Sequence, residues 1–280
     1  MKTETKGGYP RAKKRFGQNF LSDGNVLEKI VTSARITPDT GVIEIGSGTG
    51  YLTERLLRVA PCILAYEIDR DLVKLLKARF SDLNRFILIP EDVLKRNLET
   101  DIKEHLSGVD DIVLVSNLPY YITTPILMMV LEKTRSIQRM VMMMQLEVAR
   151  RITSEPGTKD YGALSVIIRY IADAKLLFKV SRNAFRPVPD VDSAVVSIEI
   201  RRERPLEAEA QAEFFHFVHQ AFAHRRKTLM NNMLSAYPTW ERKDIEQAMQ
   251  THEIPLSARA ETLELQAFLD LYFYYTNTRH

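Results

Sequence analysis

Val42-Ile43-Glu44-Ile45-Gly46-Ser47-Gly48-Thr49-Gly50-Tyr51-Leu52 is the stretch that decides the fold. An apolar, β-branched run interrupted only by Glu44 reads as a short buried strand. The glycines at 46, 48 and 50 then form a turn that lets a ligand approach backbone N–H groups closely, and from Leu52 to Val59 apolar residues recur at helical spacing. Strand, glycine turn and helix in that order open an α/β sheet with a ligand edge. A dinucleotide fingerprint requires glycine at its sixth position, where this chain has Tyr51, so a pyrophosphate ligand is disfavoured.

Outward from that turn, apolar strand-like runs alternate with amphipathic stretches as far as about Ile200, the pattern of a sheet with crossover helices. The expected strands are Val42–Ile45, Cys62–Glu67, Phe86–Ile89, Ile112–Ser116, Gln138–Met144, Leu176–Val180 and Ala194–Ile200. Helices are expected at Val26–Ala34, capped by Asp23 or Gly24, and at Leu52–Val59, Leu72–Phe80, Pro125–Lys133, Leu146–Ile152 and Leu164–Ala172. Beyond Arg204-Pro205 no strand-like run remains, and helices are suggested near Ala208–Phe222, Lys227–Tyr237, Glu241–Gln250 and Leu263–Tyr275. The expectation is therefore a catalytic α/β domain over 1–204 followed by a small all-helical domain over 205–280. The aromatic cluster from Phe268 to Tyr275 is expected to pack that second domain, with base stacking as the alternative.

Ligands in open α/β sheets bind beyond the carboxyl ends of the strands. The second strand ends at Glu67, where an acid can accept hydrogen bonds from ribose hydroxyls, and the third ends in Pro90-Glu91-Asp92, where a carboxylate can accept from an adenine amine. Taken singly, each acid could equally be a surface residue or a helix cap. With the Glu44-x-Gly46-x-Gly48-x-Gly50 turn they resemble the Rossmann-like class I methyltransferases, whose ligand joins an amino acid to adenosine and carries no phosphate. The fourth strand delivers Asn117-Leu118-Pro119-Tyr120 to the same edge. An adenine amine is a poor nucleophile because its lone pair is delocalised into the ring, so its site must hold it and accept its hydrogens. The Asn117 side-chain carbonyl and the Leu118 backbone carbonyl can accept those two N–H bonds, with Pro119 fixing the turn and Tyr120 stacking on the base. In the later Phe185-Arg186-Pro187-Val188-Pro189 turn, Phe185 either closes the other face of the base or anchors its loop in the core.

With 45% hydrophobic and 27% charged residues the chain has an ordinary globular balance, and its apolar runs are too short to span a membrane. The basic N-terminal start is unlike a signal peptide, and the lone Cys62 reads as a buried strand residue that can form no internal disulfide, so a cytoplasmic location is expected. A net charge of only +3 conceals clusters at Arg11–Arg15, Arg201–Arg204 and His224–Lys227. Any one of them is a plausible solvated face; three together point to nucleic acid.

Across nearly its whole length the sequence resembles the KsgA family of ribosomal RNA adenine dimethyltransferases. The matching stretches are Lys14 to Leu21, the glycine turn, Tyr66-Glu67-Ile68-Asp69, Glu91-Asp92-Val93, Asn117 to Tyr120, Phe185 to Ser193 and Phe222 to Leu229. The resemblance implies S-adenosylmethionine as cofactor, held by Asn19, Leu21, Gly46, Glu67, Asp92 and Asn117. It implies dimethylation of two adjacent adenosines in a hairpin loop near the 3′ end of small-subunit ribosomal RNA, on an immature small ribosomal subunit. In such a family the helical C-terminal domain and the basic segment Arg225, Arg226 and Lys227 would supply phosphate contacts; a monomer with no metal is expected. Glu91 stands where many relatives have a small residue, which leaves the role of Asp92 intact. Two rivals are an antibiotic-resistance methyltransferase acting on large-subunit RNA and a binding factor that kept the fold without the activity.

Overall fold

Apolar, β-branched segments of four to nine residues pair into a seven-stranded sheet. The structure, a computed structural model, describes Lys13 and residues 17–278; Arg11, Ala12, Lys14 and Arg15 of the first basic run, and Phe16 of the matching stretch, lie outside the described residues. A two-residue strand β1 (Phe20–Leu21) comes first, then α1 (Gly24–Ser33), whose first amides are capped by the Asp23 carboxylate. There follow β2 (Thr40–Ile45), α2 (Tyr51–Val59), β3 (Cys62–Tyr66), α3 (Arg70–Phe80), β4 (Phe86–Ile89), α4 (Leu98–His105), β5 (Asp111–Asn117), α5 (Thr123–Lys133) and β6 (Arg139–Gln145). After α6 (Leu146–Ile152) and α7 (Ala163–Ile171) come β7 (Ala172–Val180), the short β8 (Phe185–Arg186) and β9 (Ser193–Ile200). Four helices close the chain: α8 (Ala208–Ala221), α9 (Leu229–Ala236), α10 (Arg242–Thr251) and α11 (Leu265–Asn277).

Spatially the strands run β4-β3-β2-β5-β6-β9-β7. Pairing is parallel from β4 through β6 and antiparallel between β6 and β9. The connections from β2 lead to β3 on one side, while β5 lies on the other, so the sheet has its topological switch point between β2 and β5. That is where an open α/β sheet makes its ligand crevice. The Ser116 hydroxyl donates to the Ile45 carbonyl at 2.5 Å and ties the ends of these two strands together inside the core. All seven expected sheet strands form. Cys62 opens β3 half-buried, and burial pushes its thiol above its ordinary range, which keeps it from acting as a thiolate.

The chain divides into two compact units, residues 1–149 with 175–202 and residues 150–174 with 203–280. The last change of unit, at 202/203, lies beside the 204/205 boundary expected from sequence, but 150–174 groups with the C-terminal helices rather than with the sheet. The reason is α7, which buries Ser165, Val166, Ile167, Ile168, Tyr170 and Ile171. A helix apolar on nearly every side needs helical neighbours, and the Tyr170 ring lies 5.2 Å from Phe214 and 5.5 Å from Phe215. In the same unit Phe268, Tyr272 and Tyr275 are buried and Phe222 stacks on Phe268, so most of the aromatic cluster packs the helices while Phe273 stays exposed.

Candidate active site

The glycine turn between β2 and α2 is built from backbone that only glycine adopts without cost. Gly46, Gly48 and Gly50 have φ of +74°, +58° and +81°. Gly50 also lies so close to α3 that an added Cβ would sit 2.8 Å from the Phe80 ring. At Gly46, by contrast, a Cβ would meet nothing nearer than Pro119 Cδ at 3.8 Å, so the turn opens onto space there. Beneath it, Glu44 is almost fully buried and accepts hydrogen bonds from the hydroxyls of Ser47 (2.9 Å) and Thr53 (2.6 Å) on one oxygen. Burial, the leading cause, pushes this carboxyl up to about 7.

Glu67 follows β3 and fixes the same turn from the other side. Its carboxylate accepts from the Gly48 amide at 2.9 Å and the Asp69 amide at 2.8 Å. Burial raises its pKa, opposed by those backbone donors. Asp92 is half-buried and caps the short turn after β4 through one oxygen, accepting from the Leu94 amide at 3.1 Å. The cap and ligand readings of this acid are therefore compatible, because a carboxylate has lone pairs to spare. Glu91 is exposed and pairs with Arg96.

From β5 the chain delivers Asn117, half-buried, whose side-chain amide has no hydrogen-bond partner among the described residues. Leu118 is buried, and the Pro119 carbonyl accepts from Ile122 N and Thr123 Oγ1, which fixes the turn. The Tyr120 hydroxyl shares a 2.8 Å hydrogen bond with Ser193 at the start of β9. Asn19 and Leu21 arrive from far away in sequence. β1 pairs antiparallel with β8, placing Leu21 opposite Phe185 and Phe20 opposite Arg186. All ten residues expected at the cofactor and catalytic positions, namely Asn19, Leu21, Gly46, Glu67, Asp92, Asn117, Leu118, Pro119, Tyr120 and Phe185, line one pocket. Phe185 is 1% exposed and packs with the core cluster of Leu21, Leu27 and Val180, so its packing favours the loop-anchor reading while it still forms pocket wall.

Several site residues were not legible beforehand. Lys13, read as part of a basic run, instead donates to Asp69 at 2.5 Å and to Asp71 at 2.6 Å. Gln18 also donates to Asp69, at 3.0 Å. These donors hold the Asp69 carboxyl below its ordinary range, against a desolvation that acts the other way. Ser47 and Thr53 could have been found as hydroxyls close to a buried acid. Tyr121 was signalled only by the doubling of tyrosine after Pro119. In the second unit, Arg225, Arg226 and Lys227 occupy an exposed turn. Arg225 is engaged there, donating to the Glu261 carboxylate (2.9 Å) and the Lys159 carbonyl (2.7 Å). The buried Asn232 amide donates to the carbonyls of Ala221 and His224 and so fixes the turn from below.

Known proteins resemble the chain in sequence and in fold. The family model described as ribosomal RNA adenine dimethylase matches residues 10–277. Ribosomal RNA small subunit methyltransferase A of Geobacillus thermodenitrificans is 45% identical over 92% of this chain and 89% of its own length. The protein of the same name from Lactococcus lactis is 43% identical over 92% and 88%. Among solved structures, the 23S rRNA methyltransferase ErmE superposes with a TM-score of 0.71 at 29% identity, covering 91% of this chain and 99% of its own. A dimethyladenosine transferase from Plasmodium falciparum gives a TM-score of 0.73 at 22% identity over 92% and 97%, a likeness of fold.

Proposed function

The chain belongs to the ribosomal RNA adenine dimethylase family, and from that premise we propose that it uses S-adenosylmethionine to dimethylate the N6 amines of two adjacent adenosines in a hairpin loop near the 3′ end of small-subunit ribosomal RNA, on the immature small subunit. The small-subunit reading is supported by relatives of that name at 43–45% identity, against 29% for the large-subunit enzyme ErmE. No helix among the described residues is long and apolar enough to cross a membrane. A cytoplasmic monomer is the form in which we expect it to act.

The pocket suits such a cofactor on its own chemistry. Open space over Gly46, an acid at the end of β3 and a second after β4 match a ligand with amino-acid, ribose and adenine parts and no phosphate. Glu67 would hold the ribose, Asp92 the adenine amine, and Asn19, Leu21 and Gly46 the remainder. When bound, this cofactor supplies an electrophilic methyl on a sulfonium. The chain's own part is to place the target amine. Asn117 accepts one N–H through its side-chain carbonyl and the Leu118 carbonyl accepts the other, so the nitrogen lone pair is turned toward the methyl. Tyr120 stacks on the extruded base, a contact worth roughly 1–3 kcal/mol, and Ser193 steadies its hydroxyl. Positioning of this kind can lower a barrier by on the order of 7–11 kcal/mol. The methylated amine is a strong acid and loses its proton to this carbonyl-lined site or to water, so no dedicated base is required.

The observation that carries this reading is the Asn117 amide, without a partner among the described residues, in the same pocket as Glu67 and Asp92. Incubating the protein with labelled cofactor and unmethylated small subunits should place two methyl groups on each of two adjacent adenosines, read by mass mapping. Methyl found only on large-subunit RNA would overturn the substrate.

A further inference from the structure

Pro119 is followed by two tyrosines that face different parts of the pocket. Tyr120 is half-buried and its hydroxyl is held by Ser193 at the mouth of β9. Tyr121 is 57% exposed, far more than an aromatic ring needs to be in a well-packed turn, yet it too lines the pocket. Its ring lies against Gly17: a Cβ added at residue 17 would sit 3.3 Å from Tyr121 Cδ1 and 3.6 Å from Cε1. Gly17 has φ +54°, so both its backbone and its lack of a side chain let the N-terminal segment come this close to the ring. That segment is held down by Gln18 and Lys13, both donating to Asp69, two residues after Glu67. Tyr121 shares its pocket with Asp92 and Glu67, the acids assigned to adenine and ribose, and after burial their charges raise the pKa of its phenol.

We propose that Tyr121 is a cofactor-binding residue, its ring seated on Gly17 as the outer wall of the adenosine end of the pocket. This rests on the cofactor assignment made above. The two tyrosines then divide the work of the turn: Tyr120 serves the target base and Tyr121 the cofactor. An exposed ring beside an open pocket gains apolar contact when an adenosine moiety enters, and an aromatic face is suited to that partner. Gly17 and the Lys13 and Gln18 contacts act through Tyr121 and Asp69 as positioning elements.

Calorimetric titration of the full chain with S-adenosylhomocysteine tests the assignment without relying on turnover. Tyr121→Ala should weaken binding by about tenfold, the scale of losing one aromatic stack on a base, while Tyr121→Phe should match the wild type. Gly17→Ala, which crowds the ring and strains a left-handed backbone position, should shift affinity in the same direction as Tyr121→Ala. Tyr120→Ala should leave this affinity unchanged. In steady state, Tyr121→Ala should raise KM for the cofactor more than it lowers kcat, the signature of lost binding in ground and transition states alike. Wild-type affinity in a folded Tyr121→Ala protein would overturn the role, as would a Tyr121→Phe defect equal to that of Tyr121→Ala. Because the ring is exposed, its loss should leave the melting temperature unchanged, which the same preparations can verify. If the wild-type chain failed to bind the probe at all, the cofactor assignment itself would fall, a result distinct from any difference between variants.

Discussion

Glu44 and Glu67 flank one glycine turn with different balances of burial and hydrogen bonding. Glu44 has two hydroxyl donors and no cation partner among the described residues, so burial dominates and its folded pKa of about 7 stands above the ordinary 4.5. An acid raised in this way keeps its proton in the folded state over a range in which the unfolded chain has lost it. Its contribution to stability is thus complete below about pH 4.5 and is lost as pH rises through about 7. Glu44→Gln can accept both hydroxyls and cannot ionise. The variant should therefore gain on the wild type between pH 5 and 8 by up to about 3 kcal/mol, read from denaturation midpoints, and parallel pH profiles would contradict this. Asn117 carries the opposite expectation. Asn117→Ala should keep RNA affinity while turnover falls by on the order of 100-fold or more, as when one preorganised polar group is removed from a reacting centre. Full activity in that variant would sink the amine-holding role.

Between elements, the glycine turn is also a packing joint. Gly50 N-caps α2 in the left-handed region, and α3 approaches so closely that a Cβ would sit 2.8 Å from Phe80 and 3.0 Å from Leu76. Gly50→Ala should cost about 2–5 kcal/mol from left-handed strain plus overpacking, measurable by chemical denaturation; a loss under about 1 kcal/mol would mean that α3 gives way freely. Which elements could be read from sequence follows from how much signal each carries. The sheet strands announced themselves because a strand buried on both faces is apolar and rich in β-branched residues, as Val42–Ile45 is apart from Glu44 and as Ile112–Val115 is. Helix α4 escaped because only Leu98, Asp101 and Ile102 of its eight residues are buried, too thin a stripe to show a period, although Asn97 capping the Thr100 amide was a usable sign. The β1 and β8 pair was unreadable in principle, since two residues meet two others some 165 positions away with no local pattern. Asn19 and Leu21 reached the site through that pairing, which is why only family resemblance could assign them.

At the scale of the whole molecule, the second unit is assembled from two separate segments. A cut at the 204/205 boundary suggested by composition would leave α7 on the N-terminal fragment while removing α8 and α11, helices that it packs against. Such a fragment should bind a hydrophobic dye and run as aggregates on gel filtration, and a dye-silent monomer would show that α7 needs no helical cover. The same discontinuity has a consequence during synthesis. The sheet is completed only when β9 is made, after α7 has already been translated, and α8 ends about 50 residues beyond Ile171. At roughly 5–20 residues per second, α7 leads its partner off the ribosome by about 3–10 s. Over that interval the nascent chain carries a nearly all-apolar helix with no place to dock, which makes it the natural client segment for a chaperone while the protein is being born.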